Sequence, residues 1–189
     1  NLYPTSSHLC PHTLPVPNVT DLDLSHNNLT SVPAGVFLPL VNLQLLYING
    51  NNLKHLGPGT FSFNTPILRV IDLRGNNLKD VDKDAFSGVV SSPQVTLEFN
   101  SLDHFTFDMF GPLLYNISLY FGYIDFWFNR IACDCDILWF LNEPSLDDHL
   151  IYGRYKNGTF ISNIDVDELE AECQVDHQDY PDEFYPSLG

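Results

Sequence analysis

Apolar and polar residues recur in one fixed order along most of the chain. Asn27, Asn51, Asn76 and Asn100 follow one another at spacings of 24, 25 and 24 residues, each inside the same frame of apolar positions. The frames of the first three units are Val19, Leu22, Leu24, Asn27, Leu29, Val32, Phe37; Leu43, Leu46, Ile48, Asn51, Leu53, Leu56, Phe61; and Leu68, Ile71, Leu73, Asn76, Leu78, Val81, Phe86. One such unit cannot bury its own apolar face, so the pattern predicts a stack of similar coils.

The pattern loosens toward the C-terminus. A fourth unit keeps the frame less strictly, and a fifth half-unit follows after a longer gap; their residues are Ser92, Val95, Leu97, Asn100, Leu102, Phe105, Phe110, and then Phe121, Ile124, Phe126, Asn129. The apolar-x-apolar pair before each asparagine predicts a short strand with alternate side chains in the core. The asparagine amide is expected to satisfy buried backbone groups where the chain leaves that strand.

These positions match L-x-x-L-x-L-x-x-N-x-L, the frame of leucine-rich repeats. Directly after the fifth unit, Asn129-Arg-Ile-Ala-Cys-Asp-Cys135 and the apolar stretch 138–141 resemble the cysteine-flanked cap of extracellular leucine-rich-repeat proteins, such as Slit, the Toll ectodomains and the platelet receptor for von Willebrand factor. The resemblance implies an α/β solenoid: a right-handed coil with a parallel sheet on the concave face, loops and 3₁₀ turns on the convex face, and a disulfide-bonded cap that contains helix. We divide the chain into a reduced N-terminal segment (1–15), repeats (16–130), the cap (131–175) and an acidic tail (176–189).

Composition restricts the function. The 189 residues carry 24 Asp and Glu against 8 Lys and Arg, a formal charge of −16. Such acidity repels nucleic acids and anionic lipid and makes a basic protein partner an expectation. No apolar run reaches the roughly 18 residues of a membrane span. Motifs of nucleotide-binding and hydrolytic enzymes are absent, so a non-catalytic module without a cofactor is predicted.

A metal site is not expected from the sequence. The seven histidines lie in different units without the spacing of a zinc site. The acidic stretch that begins at Asp165 lacks the glycine that a hand-shaped calcium loop needs.

The cysteines number four, at positions 10, 133, 135 and 173. In the resembled cap the first cysteine pairs with the third, which implies a Cys133–Cys173 bridge. Cys10 and Cys135 remain without an assigned partner. A bridge between them would span about four strands at ~4.8 Å each, beyond disulfide reach. Truncated ends, an intermolecular bridge and free thiols stay open for this pair.

Two kinds of modification site fit an extracellular protein. N-x-S/T sequons at Asn18, Asn28, Asn116 and Asn157 fall outside the core frame and predict glycosylation. Tyr180 and Tyr185 lie in an acidic tail that resembles tyrosine-sulfation sites, with a solubilising tail as the alternative. Together with the cap resemblance, the sequons favour a secreted or cell-surface location.

The outward positions of the predicted strands form columns on the concave face. Aromatic and charged residues gather toward the C-terminal half of these columns, an arrangement typical of protein-binding hot spots. The predicted contact residues are Tyr47, Asp72, Arg74, Glu98, Phe99, Tyr123, Asp125 and Trp127. For Trp127 and its neighbour Phe128, packing beneath the cap is the alternative interpretation.

The function we expect is non-catalytic recognition of a protein partner outside the cell, by a soluble factor or a receptor ectodomain. The alternative is a structural glycoprotein subunit of a larger extracellular complex. Such a subunit would be held in a non-covalent or disulfide-linked oligomer, the latter through Cys10 or Cys135.

Overall fold

The computed structural model describes residues 18–91, 93–119, 121–132, 134–151 and 161–173. The predictions on Cys10, Cys133, Asn157, Tyr180 and Tyr185 lie outside these residues. No helix within the described ranges combines the length and apolarity needed to cross a bilayer.

Short strands, two or three residues each, follow the predicted frame. They are β1 (Asp21–Asp23), β2 (Leu45–Tyr47), β3 (His55–Leu56), β4 (Val70–Asp72), β5 (Asp80–Val81), β6 (Gln94–Thr96), β7 (Tyr123–Asp125) and β8 (Leu150–Ile151). Six of them form one parallel sheet in the order β1-β2-β4-β6-β7-β8. Residue 21 pairs with 45, 45 with 70, 70 with 94 and 94 with 123, which confirms the predicted columns.

The asparagines form the predicted ladder beneath the strand ends. Asn100, for example, accepts a hydrogen bond from the Leu78 amide at 3.0 Å and donates to the carbonyls of Leu73 and Leu97 at 3.0 and 2.9 Å. Asn51, Asn76 and Asn129 are buried and bonded in the same way. Each amide therefore satisfies backbone groups of two successive coils that would otherwise be buried unpaired.

The convex side of the repeats is filled by phenylalanine. Phe37, Phe61 and Phe86 stack in sequence, with centroids 6.1 and 5.0 Å apart, and each is almost fully buried. The strands β3 and β5 form a separate two-stranded parallel sheet outside this spine. This arrangement follows the frame, because the last apolar position of each unit falls at the same height in successive coils.

A helix that the repeat pattern does not predict fills the longer gap between the fourth and fifth units. Helix α1 (Phe107–Ser118) is capped by Thr106, whose hydroxyl accepts a hydrogen bond from the Met109 amide. The dipeptide Gly111-Pro112 suggests a break, yet Pro112 lies inside the helix. Proline removes one backbone hydrogen bond of the helix, but burial of the helix's apolar face outweighs that loss. The residues of this face are Met109, Phe110, Leu113, Leu114 and Ile117.

The helix also changes the role of Phe121. The repeat frame assigns this residue to the core, but the structure exposes 95% of it, with φ at 68°. The chain must turn sharply here from α1 into β7, and the amide of Gly122 bonds back to the Ile117 carbonyl at 3.0 Å. Ile117 itself, near the end of α1, is fully buried.

The cap packs on the last coil and adds β8 to the sheet. It contains 3₁₀ turns at Cys135–Ile137, Pro144–His149 and Ile161–Asn163, and helices α2 (Leu138–Leu141) and α3 (Val166–Cys173). Trp139 is buried against Phe105, and its indole N–H donates to the Phe105 carbonyl at 2.9 Å. The described part of this segment therefore extends the sheet by one strand and packs on Phe105 of the fourth unit.

The predicted cysteine pairing is wrong. Cys173 is joined to Cys135, not to Cys133, with 5.6 Å between the Cα atoms. Cys135 begins the 3₁₀ turn that leads into α2, and α2 packs on α3, so the bridge closes this helical pair. Cys135 is consequently not the unpaired or intermolecular cysteine that the resemblance suggested.

Candidate functional site

The predicted contact residues lie along the concave sheet and the turns at its C-terminal edge. Tyr47 ends β2, Asp72 ends β4, and Tyr123 and Asp125 begin and end β7. The others follow β4, β6 and β7 within a few residues; they are Arg74, Glu98, Phe99 and Trp127. We call these eight residues, together with Phe128, the concave patch.

A buried carboxylate organises the charged part of the patch. Asp72 is only 3% exposed. It accepts hydrogen bonds from Arg74 Nε at 2.9 Å and Nη2 at 2.7 Å, and from the Thr96 hydroxyl at 3.1 Å. Glu98 Oε2 lies 3.7 Å from Arg74 Nη1. Asp72 is therefore placed to hold the half-exposed guanidinium of Arg74 in position rather than to reach a partner itself.

The remaining carboxylates are less well neutralised. Burial, followed by repulsion from Asp125, raises the pKa of Glu98 above its usual 4.5, and the Arg74 charge offsets this only in part. Burial also raises the pKa of Asp125, against hydrogen bonding from the Trp127 amide and the Arg74 charge. Three carboxylates thus share one guanidinium, and the patch has an excess of negative charge.

The aromatic part of the patch is a stacked strip of three rings. Phe99 and Phe128 are stacked with centroids 4.5 Å apart, and Trp127 stacks on Phe128 at 5.5 Å. Phe99 is 54% exposed and Phe128 is 57% exposed. The predicted alternative of burial beneath the cap is therefore wrong for Phe128, while Trp127 is half-buried.

The backbone under this strip is unusual. Phe99 and Phe128 have φ of 55° and 58°, in the left-handed region. The residues at the equivalent position in the second and third units are Gly50 and Gly75, with φ of 66° and 60°. Every coil thus leaves its strand through a left-handed residue, and only the last two coils place a phenylalanine there.

One feature of the surface is ambiguous in the sequence, and another is absent from it. The sequence leaves Phe128 between an outward position and burial beneath the cap, and the structure exposes it and stacks it on Phe99 of the same column. Within the described ranges, one group of three His, Cys, Asp or Glu side chains could share a metal ion, formed by His104, Asp134 and Asp136 outside the concave patch. Their separation in the sequence gave no indication of it.

The chain is similar to several known proteins. It is 24% identical over 162 residues to the non-catalytic subunit of Oplophorus-luciferin 2-monooxygenase from Oplophorus gracilirostris, covering 84% of this chain and 44% of that protein. It is 31% identical over 134 residues to mouse (Mus musculus) Toll-like receptor 9, covering 71% of this chain and 12% of the receptor. The chain spans less than half the length of the curated relatives that it matches.

Among solved structures, the chain resembles one from the Toll–Spatzle complex of Drosophila, with a TM-score of 0.41 and 17% identity over 84% of this chain and 33% of that one. The leucine-rich-repeat family model matches residues 7–53, 17–64 and 42–102, which together span half of the chain. With the asparagine ladder and the parallel sheet, this match identifies the chain as a member of the leucine-rich-repeat family.

Proposed function

We propose that the chain is a non-catalytic extracellular recognition module that binds a protein partner through the concave patch. Its relatives point to a protein-interaction module. The single observation that carries the choice of surface is the exposed stack of Phe99, Phe128 and Trp127 beside under-neutralised carboxylates.

Burial of the aromatic strip supplies the affinity in this proposal. Full burial of a phenylalanine side chain is worth roughly 1.5–3 kcal/mol, and about half of Phe99 and Phe128 is still in contact with solvent. Their stacking holds the rings in place before binding, so little side-chain entropy is lost on association. A rigid aromatic centre with a polar surround is the usual composition of a binding hot spot.

The charges favour a basic partner. An arginine or lysine of the partner would lie against an aromatic face while it pairs with Glu98 or Asp125, combining cation–π and ionic contact. Arg74 stays on Asp72 and does not need to be displaced. The net charge of −16 would also accelerate encounter with a basic surface.

The covalent features support an extracellular setting. Disulfides such as Cys135–Cys173 persist in oxidising compartments. The sequon asparagines Asn18, Asn28 and Asn116 are exposed, Asn116 on the last turn of α1, so a glycan at any of them would project into solvent. None of the three belongs to the concave patch, so glycosylation there is compatible with a contact on the concave face.

Site-specific photo-crosslinking tests the proposal. p-Benzoylphenylalanine replaces Phe128 in one variant and Phe121 in a matched control, because both are exposed phenylalanines with positive φ that lie beyond opposite ends of β7. Each variant is incubated with extracellular fluid of the source organism, irradiated, and analysed by mass spectrometry.

The expected result is a saturable adduct from position 128 that excess unlabelled protein suppresses and that position 121 does not give. The crosslinked peptide should be rich in lysine or arginine. Equal labelling from both positions, or no competable adduct from position 128, would contradict the proposal.

A second function, as a structural subunit of a larger extracellular complex, is favoured by one comparison. The relative with 84% coverage of this chain is named as the non-catalytic subunit of a monooxygenase. With Cys135 engaged internally, a covalent link in such a complex would use Cys10 or Cys133. Native mass spectrometry with and without reduction distinguishes the two functions, because a disulfide-linked subunit would be released from a defined larger assembly only on reduction.

A further inference from the structure

Three ionisable side chains converge where the fourth unit meets the cap. His104 Nδ1 lies 3.3 Å from Asp136 Oδ2 and 3.7 Å from Asp134 Oδ2, and one ligand atom from each residue lies within 4.8 Å of the other two. Both carboxylates thus face the same ring nitrogen. That nitrogen carries at most one proton, so a single hydrogen bond cannot satisfy both oxygens.

A second cluster of the same composition shows what a plain ion pair looks like in this fold. His55 lies between Asp80 and Asp82, but Asp80 contacts Nδ1 and Asp82 contacts Nε2, both at 3.1 Å. The carboxylates therefore lie on opposite sides of the ring, and each contacts a different ring nitrogen. The cluster at His104 differs in its longer distances and its shared nitrogen.

We propose that His104, Asp134 and Asp136 form a binding site for a divalent transition-metal ion, with zinc as the expected occupant. Tetrahedral zinc with bonds of about 2.0–2.2 Å places neighbouring ligand atoms roughly 3.3–3.5 Å apart. The two measured separations from Nδ1 lie at or close to this range. The imidazole favours zinc over calcium or magnesium, which prefer oxygen ligands alone.

The surrounding residues hold the ligands in this arrangement. Asp103 Oδ1 lies 3.8 Å from His104 Nε2, where its charge favours a proton on Nε2 and leaves the Nδ1 lone pair for the metal. Asp134 accepts the Asp136 amide through its other oxygen, Oδ1, at 3.2 Å, which keeps Oδ2 directed toward His104. The two aspartates flank Cys135, which the bridge to Cys173 ties to α3.

Electrostatics also favour a cation at this point. The carboxylates of Asp136 and Asp134 lie 3.3 and 3.7 Å from His104 Nδ1, and that of Asp103 lies 3.8 Å from Nε2, so three carboxylates surround one imidazole. A bound dication would reverse the repulsion among these carboxylates. It would also connect the repeat that carries His104 to the cap that carries both aspartates, and so stabilise the junction.

Calorimetric titration of Zn²⁺ into the full disulfide-bonded chain, with free thiols blocked by iodoacetamide, tests this site. We expect saturable binding of one ion that Asp136→Asn and His104→Ala each weaken by at least about tenfold, with Asp103→Asn weakening it by about tenfold through the histidine. Asp82→Asn in the cluster at His55 is the matched control and should leave zinc affinity unchanged. Circular dichroism in EDTA checks that each variant is folded.

Thermal unfolding gives a second readout. Zinc should raise the Tm of the wild type and of Asp82→Asn, but not that of Asp136→Asn. Three results would overturn the site: no saturable heat, zinc affinity that is unchanged in both Asp136→Asn and His104→Ala, or Ca²⁺ affinity equal to that for Zn²⁺. The second result would assign zinc to other residues, and the third would remove the role of the imidazole.

Discussion

Successive units of the concave face place different residues at the same left-handed backbone position. At the left-handed position after the strand, the second and third units have Gly50 and Gly75, and the fourth and fifth have Phe99 and Phe128. Glycine adopts this conformation freely, whereas another residue is strained there by roughly 1–2 kcal/mol. Because both phenylalanines remain more than half exposed, core burial does not offset the strain.

Stacking between the two rings stabilises the fold by only about 0.5–1.5 kcal/mol, which at most offsets part of the strain of the two residues. The second and third units therefore have a residue that suits the backbone. The first unit has a non-glycine there too, His26 with φ of 56°, but only the fourth and fifth units form an exposed aromatic stack that folding alone does not require. The glycines also differ from each other. A Cβ at Gly50 would overlap the His26 ring, while a Cβ at Gly75 would have only the Gly50 amide nitrogen near it, at 3.9 Å.

The largest expected effect separates an inward position just after β4 from an outward position at the end of β2. Leu73→Ala removes a fully buried side chain and should lower the free energy of unfolding by about 2–5 kcal/mol. Tyr47→Ala, at a half-buried position of β2, should lower it by less than about 1 kcal/mol and weaken partner binding instead. Urea denaturation of both variants measures this. Equal losses would show that Tyr47 belongs to the core rather than to the surface.

The second largest effect on stability is expected from opening the disulfide of the cap. Cys135→Ser opens a bridge with a sequence separation of 38 residues, and the chain-entropy model gives a loss of about 4 kcal/mol. Cys133→Ser is the control and should leave the Tm nearly unchanged, because Cys133 is not the partner of Cys173. A large loss in the control with a small loss in Cys135→Ser would restore the pairing that the family resemblance implies.

Phe99→Gly sharpens the contrast between the units with glycine and those with phenylalanine. Relief of the left-handed strain opposes the lost stacking and the greater chain entropy of glycine, so stability should change by less than about 1 kcal/mol. The same change should weaken partner binding markedly, because the strip loses an end. Differential scanning calorimetry gives the stability. A loss comparable to that of Leu73→Ala would mean that the strip serves folding after all.

The smallest effect concerns Glu98. Its pKa is raised in the folded chain, so the native state binds more protons than the unfolded state, and this group's contribution to stability falls as pH rises above about 4.5. Glu98→Gln should therefore stabilise the chain slightly at pH 7, by less than about 1 kcal/mol, and the difference should vanish near pH 4. Tm measured across this range checks it. A variant less stable than the wild type at pH 7 would indicate that the Arg74 pair dominates.

The regular units were predictable because three signals indicate the same coil structure. These are the spacing of the apolar residues, the asparagine and the final phenylalanine of each unit. The register of the concave columns across the five units follows from this agreement. Helix α1 was not predictable in that way, because Gly111-Pro112 resembles a break and only tertiary burial of Ile117 and its neighbours outweighs it. The outward position of Phe121 follows from that helix, so one missed element explains both differences.

The surface residues also differ in how far they can be predicted, between the regular repeats and the cap. Directions of side chains on the concave sheet follow from the strand alternation, which is why Tyr47, Arg74 and Glu98 could be placed from the sequence. The cysteine partner and the cluster at His104 depend on how the cap folds back onto the repeats. No periodic pattern covers that segment, and the distances there emerge only in three dimensions.

Affinity of the partner for Phe128→Ala, compared with Phe121→Ala, tests the central claim most directly. The two variants lose the same exposed ring, from opposite ends of β7. With the partner obtained by crosslinking, surface plasmon resonance should show Phe128→Ala weaker by about 2 kcal/mol, roughly 30-fold in Kd, and Phe121→Ala unchanged. If both variants bind the partner as tightly as the wild type, or if only Phe121→Ala loses affinity, the result would contradict a binding function for the concave patch.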